Sequence, residues 1–388
     1  MPVTLGSDIL FDSDALRGKR IGVVANPASI DGSFRHVADR AATAPGATLA
    51  AIFGPQHGFR ADVQDNMIES PHVEDPKRRV PVYSLYSETR EPTAQMLQGL
   101  DALVIDLQDV GARIYTFVYT MANCMRAAAR HGVPVIVCDR PNPIGGMAVE
   151  GPMLEAGFES FVGLFPIPMR HGMTIGELAA LFNQRFGIGA HLQVVRMEGW
   201  RRDMYWDQTG LPWVIPSPNM PTLDTAIVYP GGVLFEGTQL SEGRGTTRPF
   251  EILGAPWIDP ESSAARLNAL QLEGARFRPL VFEPTFHKHA HQPCGGCQVH
   301  VTDRTRFRPV LAGVAVMAEF HRSAPSKFAW RQPPYEYVHD LMPIDILAGS
   351  PRLRDAIEAD VPARDIAAEW EGPTLDFEKV RAEYLLYQ

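Results

Sequence analysis

The chain has 388 residues, 45% of them hydrophobic and 21% charged, with a formal net charge of −9. That length and apolar content sustain one large or two ordinary domains, the negative balance argues against a nucleic-acid partner, and no apolar run reaches membrane-spanning length. Four cysteines do not make a disulfide framework in a chain this size, and the opening Met1-Pro-Val-Thr-Leu-Gly-Ser-Asp8 lacks the basic end and apolar centre of a signal peptide, so a cytoplasmic address is expected.

Arg20 to Ala25 reads as a buried strand, followed by a helical stretch from about Phe34 to Ala44. A second strand, Thr48 to Phe53, opens into Gly54-Pro-Gln-His-Gly-Phe-Arg60 and then a polar run through Asp62, Gln64, Asp65, Asn66 and Glu69. Val80 to Leu85 is a third strand, Pro92 to Leu100 a helix. The next strand centres on Leu103-Val104-Ile105 and, without leaving the run, sets down Asp106, Gln108, Asp109, Arg113 and Tyr115. Polar groups beyond the carboxyl end of a buried parallel strand are where open α/β sheets bind ligands. Phe117 to Arg130 is a longer helix closed by His131-Gly132, with glycine where a left-handed C-cap wants it. Val133 to Cys138 delivers Asp139, Arg140 and Asn142. Strands alternating with helices predict a doubly wound, Rossmann-like sheet. The first strand leads into no Gly-x-Gly-x-x-Gly, and no Walker-type loop appears, so a dinucleotide site is not expected.

Between Pro141 and Val162 the chain reads as mostly loop, carrying Glu150, Glu155 and Glu159. Thr174-Ile-Gly-Glu177 introduces the helix Leu178 to Phe186, with Glu177 favoured as a capping-box residue rather than a catalytic one. A strand near His191 to Met197 and a Trp-rich segment lead to Pro216-Ser-Pro-Asn-Met-Pro221, and from Tyr229 the chain turns loop-rich again. Beyond Pro260 a helix, two strands (Arg276 to Phe282, Cys297 to Thr302) and a helix (Pro309 to His321) suggest a smaller α+β unit, and charged helices end the chain. The expected division is a Rossmann-like catalytic domain over 1–250 and an auxiliary α+β domain over 251–388.

The strand-end residues Gln56, His57 and Arg60, the group Asp106, Gln108, Asp109, Arg113 and Tyr115, and the group Asp139, Arg140 and Asn142 form the candidate site. Amides, hydroxyls and arginines beside aromatic rings suit a sugar, and an arginine suits a carboxylate, which it clamps in a bidentate pair. Glu236-Gly-Thr and Ser241-Glu-Gly-Arg-Gly-Thr-Thr247 form a Gly-rich loop open to two readings: an anion cradle of backbone amides, or an ordered surface loop with Glu242 and Arg244 paired. His287, His289, His291, Cys294, Cys297 and His300 crowd together, but one Cys-x-x-Cys with no matching second pair is weak grounds for zinc, so no metal is expected.

With these residues laid out, the chain resembles the NamZ-like exo-β-N-acetylmuramidases, a glycoside hydrolase family acting on peptidoglycan fragments. The resemblance rests on Phe53-Gly-Pro-x-His-Gly-Phe-Arg60, Val82-Tyr-Ser-Leu-Tyr86, Asp106-x-Gln-Asp-Val-Gly-x-Arg113, Asp139-Arg-Pro-Asn-Pro143, Glu150-Gly-Pro152, His171-Gly-Met-Thr-Ile-Gly-Glu-Leu178, Pro216 to Pro221, the 236–247 loop and the final Tyr384-Leu-Leu-Tyr387. It implies a Rossmann-like domain and a smaller one with the active site between them. The reaction implied is release of terminal, non-reducing N-acetylmuramic acid from a β-1,4-linked sugar, without a cofactor. His57, Arg60, Gln108, Arg113, Tyr115, Asp139, Arg140, Asn142, His171, Asn219, Glu236 and Arg244 are then expected to bind this small carbohydrate. One position departs: the family's loop reads Gly-Pro-Glu-His-Gly, with the Glu its proposed catalytic carboxylate, and here Gln56 stands there. An amide donates no acid proton. Three readings stay open: the chemistry rests on other acids, namely Asp106, Asp109 or Glu242; Gln56 orients an N-acetyl group that itself attacks; or the protein binds muramyl sugars without cleaving them.

Overall fold

The computed structural model describes residues 2–64 and 67–388, so Asp65 and Asn66 lie outside the described residues. Seven strands form the main sheet: β1 (Arg20–Ala25), β2 (Thr48–Gly54), β3 (Val73–Asp75), β4 (Val80–Ser84), β5 (Ala102–Asp106), β6 (Val135–Cys138) and, after the two-stranded β7 (Glu150–Met153) and β8 (Pro168–Arg170), β9 (Leu192–Val195). Their order is β3-β4-β2-β1-β5-β6-β9. Every pairing is parallel except that of the short edge strand β3 with β4. All five residues of β5 are buried, as a central strand covered on both faces requires.

The predicted helices sit between these strands. Phe117–His131 ends on Gly132 at φ 68°, the left-handed cap expected from the sequence. Ile175–Gln184 begins with the expected capping box: Thr174 Oγ1 accepts from Glu177 N, and Glu177 Oε2 accepts from Thr174 N. A second, antiparallel sheet, β10 (Ile252–Ala255), β11 (Ala275–Phe282) and β12 (Cys294–Val301), in the order β10-β12-β11, forms the smaller α+β part with the helices Pro260–Ala269 and Pro309–Ser323.

The stretch around Tyr229 departs from the loop reading. Leu223–Gly232 is an α-helix containing Pro230, and a 3₁₀ turn, Val233–Gly237, follows directly. Pro-Gly-Gly disguised it, because both residue types normally end helices. Here Gly231 allows backbone contact with the neighbouring helix: a Cβ on Gly231 would lie 1.9 Å from Pro309 O. Tight packing against Pro309–Ser323 outweighs the poor local propensity. Likewise the 141–162 segment and its sequel hold the β7–β8 ribbon, too short and Pro-broken to show a period of two.

Candidate active site

The site is built beyond the carboxyl ends of β2, β4 and β5, as the switch-point rule for open α/β sheets leads one to expect. β2 ends in Gly54, where a Cβ would come 2.6 Å from Phe59 N, so the chain can fold back at once. His57 follows at φ 69° and Gly58 at φ 81°. This turn aims Gln56 and His57 into a cleft. Asn219, Tyr115, Tyr229, Glu236, Arg244, Phe250, Tyr335 and Glu336 also line it.

Two carboxylates reach this cavity. Glu236 accepts from Arg244 Nη2 at 2.5 Å on one oxygen and from the Tyr335 hydroxyl at 2.6 Å on the other. Glu336 is 4% exposed and accepts from the Tyr86 hydroxyl at 2.8 Å and from Gln56 Nε2 at 3.3 Å. Burial raises the Glu336 carboxyl above its ordinary pKa, with nearby Glu236 adding to the rise and Tyr86 opposing it. Burial also lowers the His57 imidazole to about 4. His57 Nδ1 lies 2.7 Å from the Val63 carbonyl, which only accepts, so the neutral ring presents Nε2 as an acceptor. Asn219 donates to Gln64 O at 3.1 Å, and the Tyr115 hydroxyl donates to Ser217 Oγ at 2.8 Å.

Behind the cavity runs a buried ionic chain. Arg244 Nε lies 3.2 Å from Glu242, which also meets Lys288 Nζ at 2.8 Å and His287 Nδ1 at 3.3 Å. Burial acts to raise Glu242, but Lys288 and Arg244 outweigh it and hold the carboxyl down at about 2. The pairing of Glu242 with Arg244 is thus present, but inside the protein rather than on a surface loop. His287, His289 and His291, singled out for their chemistry, occupy a turn of alternating positive φ that brings Lys288 inward. Among the described residues no group of three or more His, Cys, Asp or Glu is arranged to hold a metal ion.

Of the residues expected from the sequence, Gln56, His57, Tyr115, Asn219, Glu236 and Arg244 meet at the cavity. The others stand elsewhere. Asp106 is fully buried against Arg140, at 3.0 Å. Gln108 accepts from Arg140 Nε and donates to the Asp109 and Pro141 carbonyls. Asp109 accepts from Gly111 N at 2.7 Å and lies 3.3 Å from His171 Nε2. Arg113 donates to the Leu347 and Ala348 carbonyls, both at 3.0 Å. Asp139 accepts from Gly176 N, Thr174 and Tyr387, and Asn142 donates to Met173 O. Arg60 is exposed and lines a separate hollow with Asp62, Val73 and Tyr83.

Sequence reasoning missed Glu336, Tyr335 and Lys288. The segment Pro333-Pro-Tyr-Glu-Tyr337 carried the signal: two prolines stiffening a short polar turn, with an acid between two phenols.

Fold and cavity together define a Rossmann-like α/β protein with a carboxylate-bearing pocket beyond its sheet. Family models for the exo-beta-N-acetylmuramidase NamZ match the chain over 21–224 (N-terminal) and 227–387 (C-terminal). The peptidoglycan beta-N-acetylmuramidase NamZ of Bacillus subtilis (strain 168) is 46% identical over 96% of this chain and 88% of its own length. A crystal structure of a DUF1343 family protein from Bacteroides fragilis NCTC 9343 is 34% identical, covers 100% of this chain and 99% of its own, and superposes with a TM-score of 0.91. A second DUF1343 structure from the same organism is 28% identical over 100% and 99%, with a TM-score of 0.76. The chain belongs to the NamZ exo-β-N-acetylmuramidase family, and so to the glycosidases.

Proposed function

We propose that this protein releases terminal, non-reducing N-acetylmuramic acid from β-1,4-linked peptidoglycan fragments, and that the cavity beyond β2, β4 and β5 is its active site. The observation that carries the reading is the meeting of two buried glutamates, Glu236 and Glu336, with aromatic rings and hydrogen-bonding groups in one cleft. Cleaving a glycosidic bond takes a proton for the leaving oxygen and negative charge near the anomeric carbon, and a pair of carboxyls in unlike surroundings supplies both. Glu236, held between an arginine and a phenol, suits the second task. Tyr115, Tyr229 and Phe250 line the site with ring atoms against which a sugar can pack, while His57 Nε2 accepts a hydroxyl hydrogen. Asp106, Asp109 and Glu242 serve better as braces of this cavity than as its acids, because each is turned towards partners of its own. The relative from Bacillus subtilis, named as a peptidoglycan beta-N-acetylmuramidase, supports the substrate.

A second reading has one observation behind it. Gln56 in place of the family's Glu suits a protein that binds muramyl sugars without turnover. Hydrolysis of a 4-nitrophenyl β-N-acetylmuramide beside the matching β-N-acetylglucosaminide separates the two. Release from the muramide by wild type is the expected result. Tight binding of N-acetylmuramic acid with no release from either compound would establish the silent binder instead.

A further inference from the structure

We infer, resting on the function proposed above, that Glu336 is the general acid of this enzyme and that Gln56 is the fixed hydrogen-bond donor that holds it in place. The two residues are far apart in the chain and meet only in the fold. Thr116 stands at the N-cap of the Phe117–His131 helix, yet its side chain makes no capping bond. Its hydroxyl instead donates to Gln56 Oε1 at 2.8 Å. In this arrangement the other end of the amide, Nε2, faces Glu336 and donates to its Oε1 at 3.3 Å.

The backbone around Glu336 points the same way. Tyr335 N bonds to Val338 O at 3.0 Å and Val338 N to Tyr335 O at 2.9 Å, closing a two-residue turn. Its central residues, Glu336 and Tyr337, have φ values of 45° and 66°. Such turns favour Asn-Gly, since both positions need positive φ. A glutamate and a tyrosine there cost conformational energy, and strain of this kind is kept where a side chain must be aimed. The turn is anchored to the opposite loop, with Glu336 N donating to Met67 Sδ at 3.3 Å. Tyr337 in turn donates to Glu69 at 3.3 Å.

These contacts give the departure at position 56 a physical meaning. A glutamate there would set two carboxyls about one hydrogen bond apart, and such a pair shares a proton. Glutamine keeps an N–H at that place at every pH and leaves Glu336 as the proton carrier of the two. In the reaction Glu336 passes its proton to the glycosidic oxygen as the bond to the anomeric carbon breaks, and the leaving sugar departs as an alcohol. Water adds to the anomeric carbon and gives up a proton, which restores the acid.

The test compares two substrates of the full-length protein: a β-N-acetylmuramyl-GlcNAc disaccharide, whose leaving group needs the proton, and a 2,4-dinitrophenyl β-N-acetylmuramide, whose leaving group does not. Glu336→Gln is expected to lose roughly 10²–10⁴-fold in kcat on the disaccharide and less than about 10-fold on the dinitrophenyl compound, with the alkaline limb of the pH profile gone. An equal loss on both substrates, or disaccharide activity within about threefold of wild type, overturns the assignment. If Glu336→Gln fails to fold, Tyr86→Phe decides the matter. Removing a donor that favours the charged carboxylate should move the alkaline limb upward, and an unmoved limb in a folded, active variant overturns it. Wild type silent on both muramides would sink the proposed function and this inference with it, whereas wild-type activity with an indifferent Glu336 sinks the inference alone.

Discussion

Arg140 Nη1 lies 3.0 and 3.2 Å from the two carboxylate oxygens of Asp106, and neither side chain meets solvent. The remaining donors of this arginine go to Gln108 Oε1 and to the carbonyls of Ala28 and Ile30. A guanidinium so fully engaged has no edge left for a substrate carboxylate. It instead ties the loops after β1, β5 and β6 together.

Asp106→Asn therefore tests architecture. It leaves a buried guanidinium without its counter-charge, a loss of about 3–5 kcal/mol. The expected result is a lower unfolding midpoint in urea, while KM of the protein that remains folded stays near the wild-type value. A KM raised tenfold with stability unchanged would return Asp106 to the substrate.

The same pair shows what the sequence could and could not disclose. Strands β1, β2, β5 and β6 were legible because buried parallel strands are written as apolar runs. Polar residues after those runs were legible as a group, but their division was not. Gln56, His57 and Tyr115 face the cavity, whereas Asp106, Gln108 and Arg140 face one another and Asp139 turns to Thr174 and Tyr387. Which way a side chain turns depends on partners far along the chain, such as Ala28 or Tyr387, that no local pattern announces. Glu336 was hidden for the same reason: its partners Tyr86 and Gln56 lie some 250 and 280 positions away.

Lys288→Met probes the ionic chain behind the cavity. Lys288 Nζ reaches Glu242 at 2.8 Å and the Phe235 carbonyl at 2.8 Å, so it braces the segment that carries Glu236. The folded Glu242 carboxyl sits below its ordinary value of 4.5, at about 2. Its contribution to stability is thus present above pH ~4.5 and lost as pH falls towards about 2. Methionine removes much of that contribution. The gap in melting temperature between wild type and variant should be full at pH 7 and close on acidification to pH 2–3, as read by circular dichroism. A gap independent of pH would mean that Lys288 acts by packing alone.

Asp139 makes the opposite prediction. Burial, with Glu177 nearby, raises its folded value to about 7 from 3.8, despite bonds from Tyr387, Gly176 and Thr174. A carboxyl raised on folding contributes stability fully below its unfolded value and loses it as pH rises through the folded one. Asp139→Asn cannot titrate. Wild type should therefore lose stability relative to this variant between about pH 4 and pH 7, by on the order of 4 kcal/mol in total. Parallel stability curves across that range would show that Asp139 is ionised throughout.

The crossing of the helices Leu223–Gly232 and Pro309–Ser323 gives a test of the fold that is independent of charge. At Gly231 a Cβ would lie 1.9 Å from Pro309 O, and at the facing Gly313 it would lie 2.5 Å from Gly231 O, so both clashes are with backbone. Side chains can swing aside, but these carbonyls can yield only if the helices part. Gly231→Ala should cost at least the ~3 kcal/mol at the upper end of ordinary overpacking, and activity should fall with it, because Glu236 follows directly in the 3₁₀ turn Val233–Gly237. Gly372→Ala is the matched control: its Cβ meets nothing within 4 Å, and it lies in the helix Glu371–Ala382. There alanine should stabilise by up to about 1 kcal/mol. Urea unfolding of the two variants beside wild type reads both signs in one experiment, and a Gly231→Ala protein as stable as wild type would mean that the helices do not cross at the contact described.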